Sequence, residues 1–187
     1  MTYKNTLTTL FIIALGLAAS MTFMFNNSDD KKTANQTLLP DAFMENVVAT
    51  TMDKYGKPKM KIVTPRLTHY AENDTTQLVS PELTLYRKSP TPWYITANHA
   101  TATQGADLIH FKQDVVIHHA ADSDHPATLI KTPSHTVHPS DQTAETDEFI
   151  TMTQPNTLIK AIGMRANMNT GDIKLLSQAK GEYVPNS

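Results

Sequence analysis

Apolar and polar positions divide the chain into two unequal parts. Residues 7–25 (LTTLFIIALGLAASMTFMF) form a run of 19 residues with no charged side chain. A helix of this length is roughly 28 Å long, close to the thickness of the hydrocarbon core of a bilayer. The run therefore predicts a retained membrane anchor. The alternative is a cleaved signal peptide with Ala18-Ala19-Ser20 at the cleavage site, but Met21 to Phe25 extend the apolar run past that point.

The charged residues that flank this run give a weak indication of its orientation in the membrane. One lysine precedes it, and an Asp-Asp pair and a Lys-Lys pair follow it, so the positive-inside signal is weak. We expect residues 1–6 to be a cytoplasmic stub, 7–25 a single-pass transmembrane anchor and 26–40 a polar tether. Residues 41–187 would then form one domain outside the cytoplasm. In a bacterium this arrangement means an inner-membrane anchor and a periplasmic domain.

From residue 41 onward the pattern changes to short apolar runs in which apolar and polar positions alternate. Trp93, Ile95 and Ala97, for example, share one face of an extended segment. Turn sequences such as Gln104-Gly105 and Thr170-Gly171-Asp172 separate the runs, and ten of the 11 prolines lie in this part. That spacing leaves little room for helices. Short strands with regular turns predict an all-β sandwich, roll or barrel.

A weak internal repeat supports this architecture. Residues 95–117, 130–152 and 162–176 each contain an alternating strand, a polar turn and a second apolar strand. Hairpins of this kind cannot bury an apolar face alone, so they stack into one continuous core.

Composition narrows the possible functions. The 187 residues carry a net charge of −2, which argues against a basic nucleic-acid-binding protein. The chain contains no cysteine, so disulfide frameworks, cysteine-ligated metal centres and thiol catalysis are excluded. Charged residues make up only 18% of the chain and apolar residues 40%, and uncharged polar residues, threonine above all, fill the remainder. Threonine is typical of strands.

Eight histidines raise the question of a metal site. Five of them, His118, His119, His125, His135 and His138, lie within 21 positions. Neighbours in a strand point to opposite faces, so His118 and His119 cannot both point inward. No metalloprotease pattern and no carboxylate at a ligand spacing accompany them. We expect no metal and no cofactor, and we expect these histidines to lie in solvated strands or loops.

Candidate catalytic residues are also missing. The sequence contains no nucleophile motif and no phosphate-binding loop. The acidic residues Asp122, Asp124, Asp147 and Glu148 stand next to turns without a partnered base, so we expect them at the surface. Four lysines between residues 54 and 61 indicate either a solvated strand face or contact with an anionic head group near the membrane.

Several segments, in this order, resemble the LptC family of lipopolysaccharide export proteins. They are PKMKIVTPRLTHY (58–70), LVSPELTLYR (78–87), PTPWYITANHATATQG (90–105), FKQDVVIHH (111–119) and AIGMRANMNTGDIKLLSQAKGEY (161–183). The resemblance covers nearly the whole chain. It is weaker in the tether and at 152–159, where Gln154-Pro155 stands in place of an expected glycine-containing turn.

The resemblance implies a β-jellyroll, an open twisted roll of antiparallel strands with an apolar groove between its sheets, and no enzyme activity. It also implies that the chain receives lipopolysaccharide from the LptB–LptF–LptG transporter of the inner membrane and passes it to the soluble protein LptA. An apolar host suits this cargo, because burial stabilises an acyl chain by about 0.8 kcal/mol per CH₂. The alternative function is a membrane-anchored scaffold that binds no lipid.

The residues expected to line the groove are apolar and lie at alternating strand positions. They are Val47, Met60, Ile62, Leu78, Leu85, Ile95, Ile109, Phe111, Ile150, Met152, Ile162, Met164, Ile173, Leu175 and Tyr183. The resemblance implies an edge toward LptA and an edge toward LptF. The LptA edge contains Ile173, Leu175, Leu176, Tyr183 and Val184, and the LptF edge contains Phe43, Val47, Ala49 and Thr51. For each groove residue, ordinary core packing is the alternative.

Overall fold

The structure, a computed structural model, describes residues 39–87 and 91–183. The expected anchor at 7–25, nearly all of the expected tether and Val184 lie outside the described residues. Within the described ranges, no helix is long and apolar enough to span a bilayer. Helical structure in this part of the chain is confined to two short 3-10 helices, Ala71–Asn73 and Gln104–Ala106.

Eleven strands make up the rest of the regular structure in the described part of the chain. They are β1 (Ala42–Met52), β2 (Pro58–Tyr70), β3 (Thr75–Val79), β4 (Glu82–Leu85), β5 (Trp93–Thr96), β6 (His99–Thr103), β7 (Leu108–His119), β8 (Thr128–His138), β9 (Thr143–Gln154), β10 (Thr157–Asn167) and β11 (Asp172–Tyr183). The predicted turn sequences fall between these strands. The prediction of an all-β fold is confirmed.

The strands form one antiparallel sheet. Strand β2 pairs with β1 on one side and with both β3 and β4 on the other. Strand β3 pairs with β6 and β4 pairs with β5, and both β5 and β6 pair with β7. From β7 the sheet continues through β8, β9 and β10 to β11. Strands β1 and β11 are therefore the two edges of the sheet.

The long strands bend near their middles, which divides the sheet into two halves. In β7, Gln113 and Asp114 have φ values of 63° and 55° and form a bulge against β8. Left-handed backbone also occurs at Asn46 in β1 and at Gly163 in β10. Ser80, which lies between β3 and β4, is left-handed as well. A bulge bends its strand and increases the local twist. Since neighbouring strands bend at neighbouring positions, the sheet folds back on itself as an open roll consistent with a β-jellyroll.

Buried threonines satisfy carbonyl groups at the bend. Oγ1 of Thr64 lies 2.9 Å from the carbonyl oxygen of Arg66 and 2.6 Å from that of Val79. Oγ1 of Thr146 donates to the carbonyl oxygen of Ser134 at 2.8 Å. A buried carbonyl left without a partner would cost about 1–3 kcal/mol. The threonines therefore stabilise the backbone where regular ladder bonds are interrupted.

Inner-face side chains from both halves form a single hydrophobic cluster. Ile95, Ile150 and Met164 are each 0% exposed. Trp93 and Ala97 are buried on the same face as Ile95, as the alternation in this segment predicts. The two halves of the roll thus enclose one interior, and side chains fill it.

The turn between β9 and β10 is formed without glycine. Gln154 pairs with Thr157, and the two residues between them are Pro155 and Asn156. Asn156 has a φ of 60°. Asparagine tolerates this left-handed conformation better than most side chains do. Asn156 therefore takes the place of the expected glycine.

Candidate functional site

The inner face of the roll is apolar and is tightly closed at its centre. Leu85, Ile109 and Phe111 in the central strands are 2%, 1% and 1% exposed. The face is open at β1 and β11, because each of these strands has a neighbour on one side only within residues 39–87 and 91–183. The interior therefore reaches solvent at two edges.

Strand β1 forms the first open edge. Val47 is half-buried, and it lies opposite the buried Thr64 of β2, so it faces the interior. Ala49 lies opposite Ile62 of β2 and also faces inward, although it is exposed. Met60 and Ile62 are half-buried and pack against the core. These residues continue the apolar inner face to the edge of the sheet.

Strand β11 forms the second open edge. Ile173 and Leu175 are half-buried and pack against the core, whereas Tyr183 is 71% exposed. A depression of about 400 Å³, lined in part by Ala144, Ala166 and Ile173, lies across β9, β10 and β11. The side chains of residues 178–183 are all exposed.

The structure brings most of the predicted groove residues to one interior. Leu78, Leu85, Ile95, Ile109, Phe111, Ile150, Met152 and Met164 are buried there, and Val47, Met60, Ile62, Ile173 and Leu175 are half-buried around them. Ile162 differs. The pairing of β10 shifts at Gly163, so Ala161 is buried in the core while Ile162 lies opposite the exposed Phe149 on the outer face. A shift of one residue moves a side chain to the other face of a sheet.

The remaining predicted edge residues divide between the two faces. Thr51 lies opposite Met60 and faces inward, although it is exposed. Phe43 is 70% exposed and lies opposite Thr68, on the outer face. Leu176 is 43% exposed and packs over Gly163 on the outer face of β10.

A buried network of polar side chains links several segments at one end of the roll. Nη2 of Arg87, just after β4, donates to Oδ2 of Asp122 and to Nε2 of His119, each at 2.6 Å. The three side chains are 2%, 3% and 1% exposed. Nδ1 of His125 lies 3.2 Å from Oδ1 of Asp122, and its Nε2 donates to the carbonyl oxygen of Thr170 at 2.9 Å. The network therefore joins β4, β7, the β7–β8 loop and the β10–β11 turn.

The expectation that Asp122 lies at the surface is wrong. Asp124, Asp147 and Glu148 are exposed as predicted. Oδ1 of Asp122 accepts the backbone N–H groups of Asp124 and His125, at 2.9 and 2.8 Å, which is the local turn chemistry typical of aspartate. The Asp-Ser-Asp sequence is a signal for this turn. Nothing in the local sequence indicates that Arg87, 35 positions away, is the partner of Asp122.

Two histidines expected to be solvated lie in the core instead. His119 and His135 are each 1% exposed, whereas His118 is exposed, so the predicted opposite orientation of His118 and His119 is confirmed. Burial, and then the neighbouring Arg87, lower the pKa of His119, so its neutral ring can accept the guanidinium hydrogen bond. Burial lowers the pKa of His135 to about 3.

We expect the domain to lose stability as the pH falls from about 6.5, the usual pKa of an unfolded histidine, toward 3. Over this range the unfolded chain binds a proton at His135 that the folded chain does not, because the folded pKa is about 3. The loss from this group is about 2 kcal/mol at pH 5. Urea unfolding at pH 7 and pH 5 measures it.

The His135→Leu variant serves as the comparison, because it should lose less stability between the two pH values. His69 acts in the opposite sense, since hydrogen bonds to Asp41 and Asp74 raise its pKa. That contribution is common to both proteins and cancels. Parallel pH dependences in the two proteins would contradict the assignment.

A polar depression lies near the same end of the roll as the network. It has a volume of about 930 Å³ and is lined in part by Asp53, Lys57, Lys59 and Asp141. Its mixed charges fit a solvated surface. Contact between an anionic head group and the four lysines of residues 54–61 stays a prediction. Residues 39–87 and 91–183 contain no group of three or more histidine, aspartate or glutamate side chains placed to hold a metal ion.

In the described part of the chain, the open antiparallel roll with one apolar interior is consistent with a β-jellyroll protein. The chain belongs to the family described as lipopolysaccharide-assembly, LptC-related, which matches residues 11–184. This confirms the family resemblance of the sequence. The family is associated with lipopolysaccharide transport, and its members are not known as enzymes.

A solved structure shares the fold. It is the crystal structure of LptH from Pseudomonas aeruginosa, described as the LptA-homologous periplasmic component of the lipopolysaccharide transport device. The two chains are 7% identical with a TM-score of 0.54, and the similarity covers 67% of this chain and 95% of that one. At this identity the likeness shows the fold alone. No curated protein matched the sequence.

Proposed function

We propose that this chain is a membrane-anchored component of a periplasmic lipid bridge. It would receive lipopolysaccharide from the LptB–LptF–LptG transporter and pass it to LptA, without catalysing a reaction. The observation that carries the proposal is the apolar inner face, which continues from the interior onto both edge strands, at Val47 and at Ile173. Membership of the LptC-related family supports it.

The open edges suit this role for two physical reasons. An unpaired edge strand is a template for adding a strand from another protein, so a neighbouring roll could extend both the sheet and its apolar face. The centre of the interior is filled by side chains, whereas the inner residues of β1 and β11 are half-buried or exposed. Acyl chains can therefore enter at the edges with fewer packed side chains to separate.

A photo-crosslinking experiment in the intact transporter complex tests the lipid path. A photoreactive residue at Leu78 or Ile173 should form an adduct with lipopolysaccharide, and ATP should increase its amount several-fold. Both side chains belong to the interior cluster or pack against it. Lys112 is exposed and serves as the control position, where no ATP-dependent adduct is expected. Adducts at Lys112 alone would reject the groove.

The same panel separates the bridge from the scaffold function. A photoreactive residue at Gln178, in the exposed part of β11, should capture LptA, and one at Phe43 in β1 should capture LptF. Protein adducts at these edges without lipid adducts at Leu78 and Ile173 would favour a scaffold that binds no lipid.

A further inference from the structure

His135 is a buried interior side chain that forms no hydrogen bond with the described part of the chain. It lies on β8 opposite the buried Phe111 of β7, and it is 1% exposed. Among the described residues, neither Nδ1 nor Nε2 has a hydrogen-bond partner. Two polar atoms therefore point into an apolar interior without being satisfied by the protein.

The polar groups beside His135 along the chain are engaged elsewhere. The carbonyl oxygen of Ser134 accepts a hydrogen bond from Oγ1 of Thr146 at 2.8 Å. Oγ1 of Thr136 lies 2.9 Å from Nδ1 of His110. Within residues 39–87 and 91–183, these contacts leave the imidazole of His135 without a hydrogen-bond partner.

An imidazole without a hydrogen-bond partner is unfavourable at a position whose only role is to pack the core. Burying a polar group without a partner is costly, and a leucine at the same place would bury only apolar atoms. A neutral imidazole offers one donor and one acceptor. Burial lowers the pKa of this group to about 3, so the ring is neutral near pH 7. A ligand that brings a hydroxyl group into the interior would satisfy it.

We propose that His135 binds the hydroxyl group of a hydroxylated acyl chain within the interior groove. The inference rests on the proposed lipid-carrying function and adds a chemical preference to it. A hydroxyl group both donates and accepts, so it can pair with either ring nitrogen, whereas an unsubstituted methylene pairs with neither. The side chain would thus favour lipids whose acyl chains carry hydroxyl groups over lipids with plain chains.

The test compares two fatty acids that differ by one hydroxyl group, 3-hydroxytetradecanoic acid and tetradecanoic acid. Each is titrated into the full-length chain at a fixed detergent concentration. Binding is followed by the fluorescence of Trp93, which is the single tryptophan of the chain and is buried in the same core. The preference is the ratio of the two dissociation constants. Since partition into detergent is identical for all variants, changes in this ratio report on the protein.

We expect His135→Leu to reduce the preference for the hydroxylated acid by about 2- to 10-fold, the range of one neutral hydrogen bond. His135→Gln keeps a donor and an acceptor and should retain part of the preference. His118→Leu, at an exposed position of β7, should leave it unchanged. The melting temperature of His135→Leu at pH 7 should not fall below that of the wild type, because no protein hydrogen bond is lost.

The outcomes distinguish this inference from the function on which it rests. If both acids bind and the preference is equal in the wild type and His135→Leu, the role of His135 is overturned and the lipid groove stands. If neither acid binds the wild type, both are overturned. A preference that falls in His135→Leu and survives in His118→Leu supports both.

Discussion

Replacing Arg87 by methionine will lower the free energy of unfolding by about 3–5 kcal/mol, the cost of leaving a buried charge without its partner. The guanidinium contacts Asp122 and His119 at 2.6 Å, and both the arginine and the aspartate are almost fully buried. Methionine fills much of the same volume, so the loss reports on charge rather than on packing. Urea unfolding of the full-length chain measures the change.

Arg165→Met is the matched control. Arg165 contacts Glu145 at 2.8 Å and Asp147 at 3.1 Å, but its side chain is 42% exposed. Exposed ion pairs contribute about 0–1 kcal/mol, so this variant should lose at most that much. Adding Asp122→Asn to Arg87→Met should recover part of the loss by removing the unpaired charge. Equal small losses in the two single variants would show that the buried network contributes no more than a surface pair.

Substituting Gly163 by alanine will lower the free energy of unfolding by about 2–5 kcal/mol, through two separate effects. Gly163 has a φ of 76°, a left-handed conformation that disfavours any Cβ atom. A Cβ atom there would also lie 2.8 Å from Cδ1 and 3.0 Å from Cβ of Leu176, so the Leu176 side chain would have to shift. Thermal and urea unfolding measure the loss.

Two variants separate the backbone effect from the steric one. Gly105 has a φ of 62°, and a Cβ atom added there would meet no atom within 4 Å, so Gly105→Ala should lose only the backbone part, about 1–2 kcal/mol. In the background of Leu176→Gly, which removes all three contacting side-chain atoms, Gly163→Ala should likewise lose only the backbone part. If Gly163→Ala costs no more than Gly105→Ala in the unaltered chain, Leu176 does not constrain the bend.

The fold class and the apolar interior could be predicted from local alternation and turn residues, but the continuity of the strands could not. The runs before and after Lys112-Gln113-Asp114 look like two short strands in the sequence. They are one strand, β7, interrupted by a bulge. Pairing with neighbouring strands on both sides keeps the chain extended through the interruption. Local sequence does not contain that information.

The bends also limit how well inward-facing residues can be predicted. Strict alternation places Ile162 and Met164 on one face, yet the bulge at Gly163 leaves only Met164 inside. The pairing of β8 is also irregular near Pro133. Ile130 and His135 are both buried, although strict alternation would place residues five positions apart on opposite faces. The buried Arg87–Asp122 pair was missed for a related reason, because its members meet only through the fold.

Two free edges that differ from each other give the roll a direction. If β11 of one molecule pairs with a β1-like edge of the next, each added roll covers one edge and presents another of the same kind. Such head-to-tail contacts do not close into a symmetric pair, and they contain no intrinsic end. Contacts of this kind would fix the order in which rolls are joined but not their number. The number would then be set by the proteins at the first and last edges.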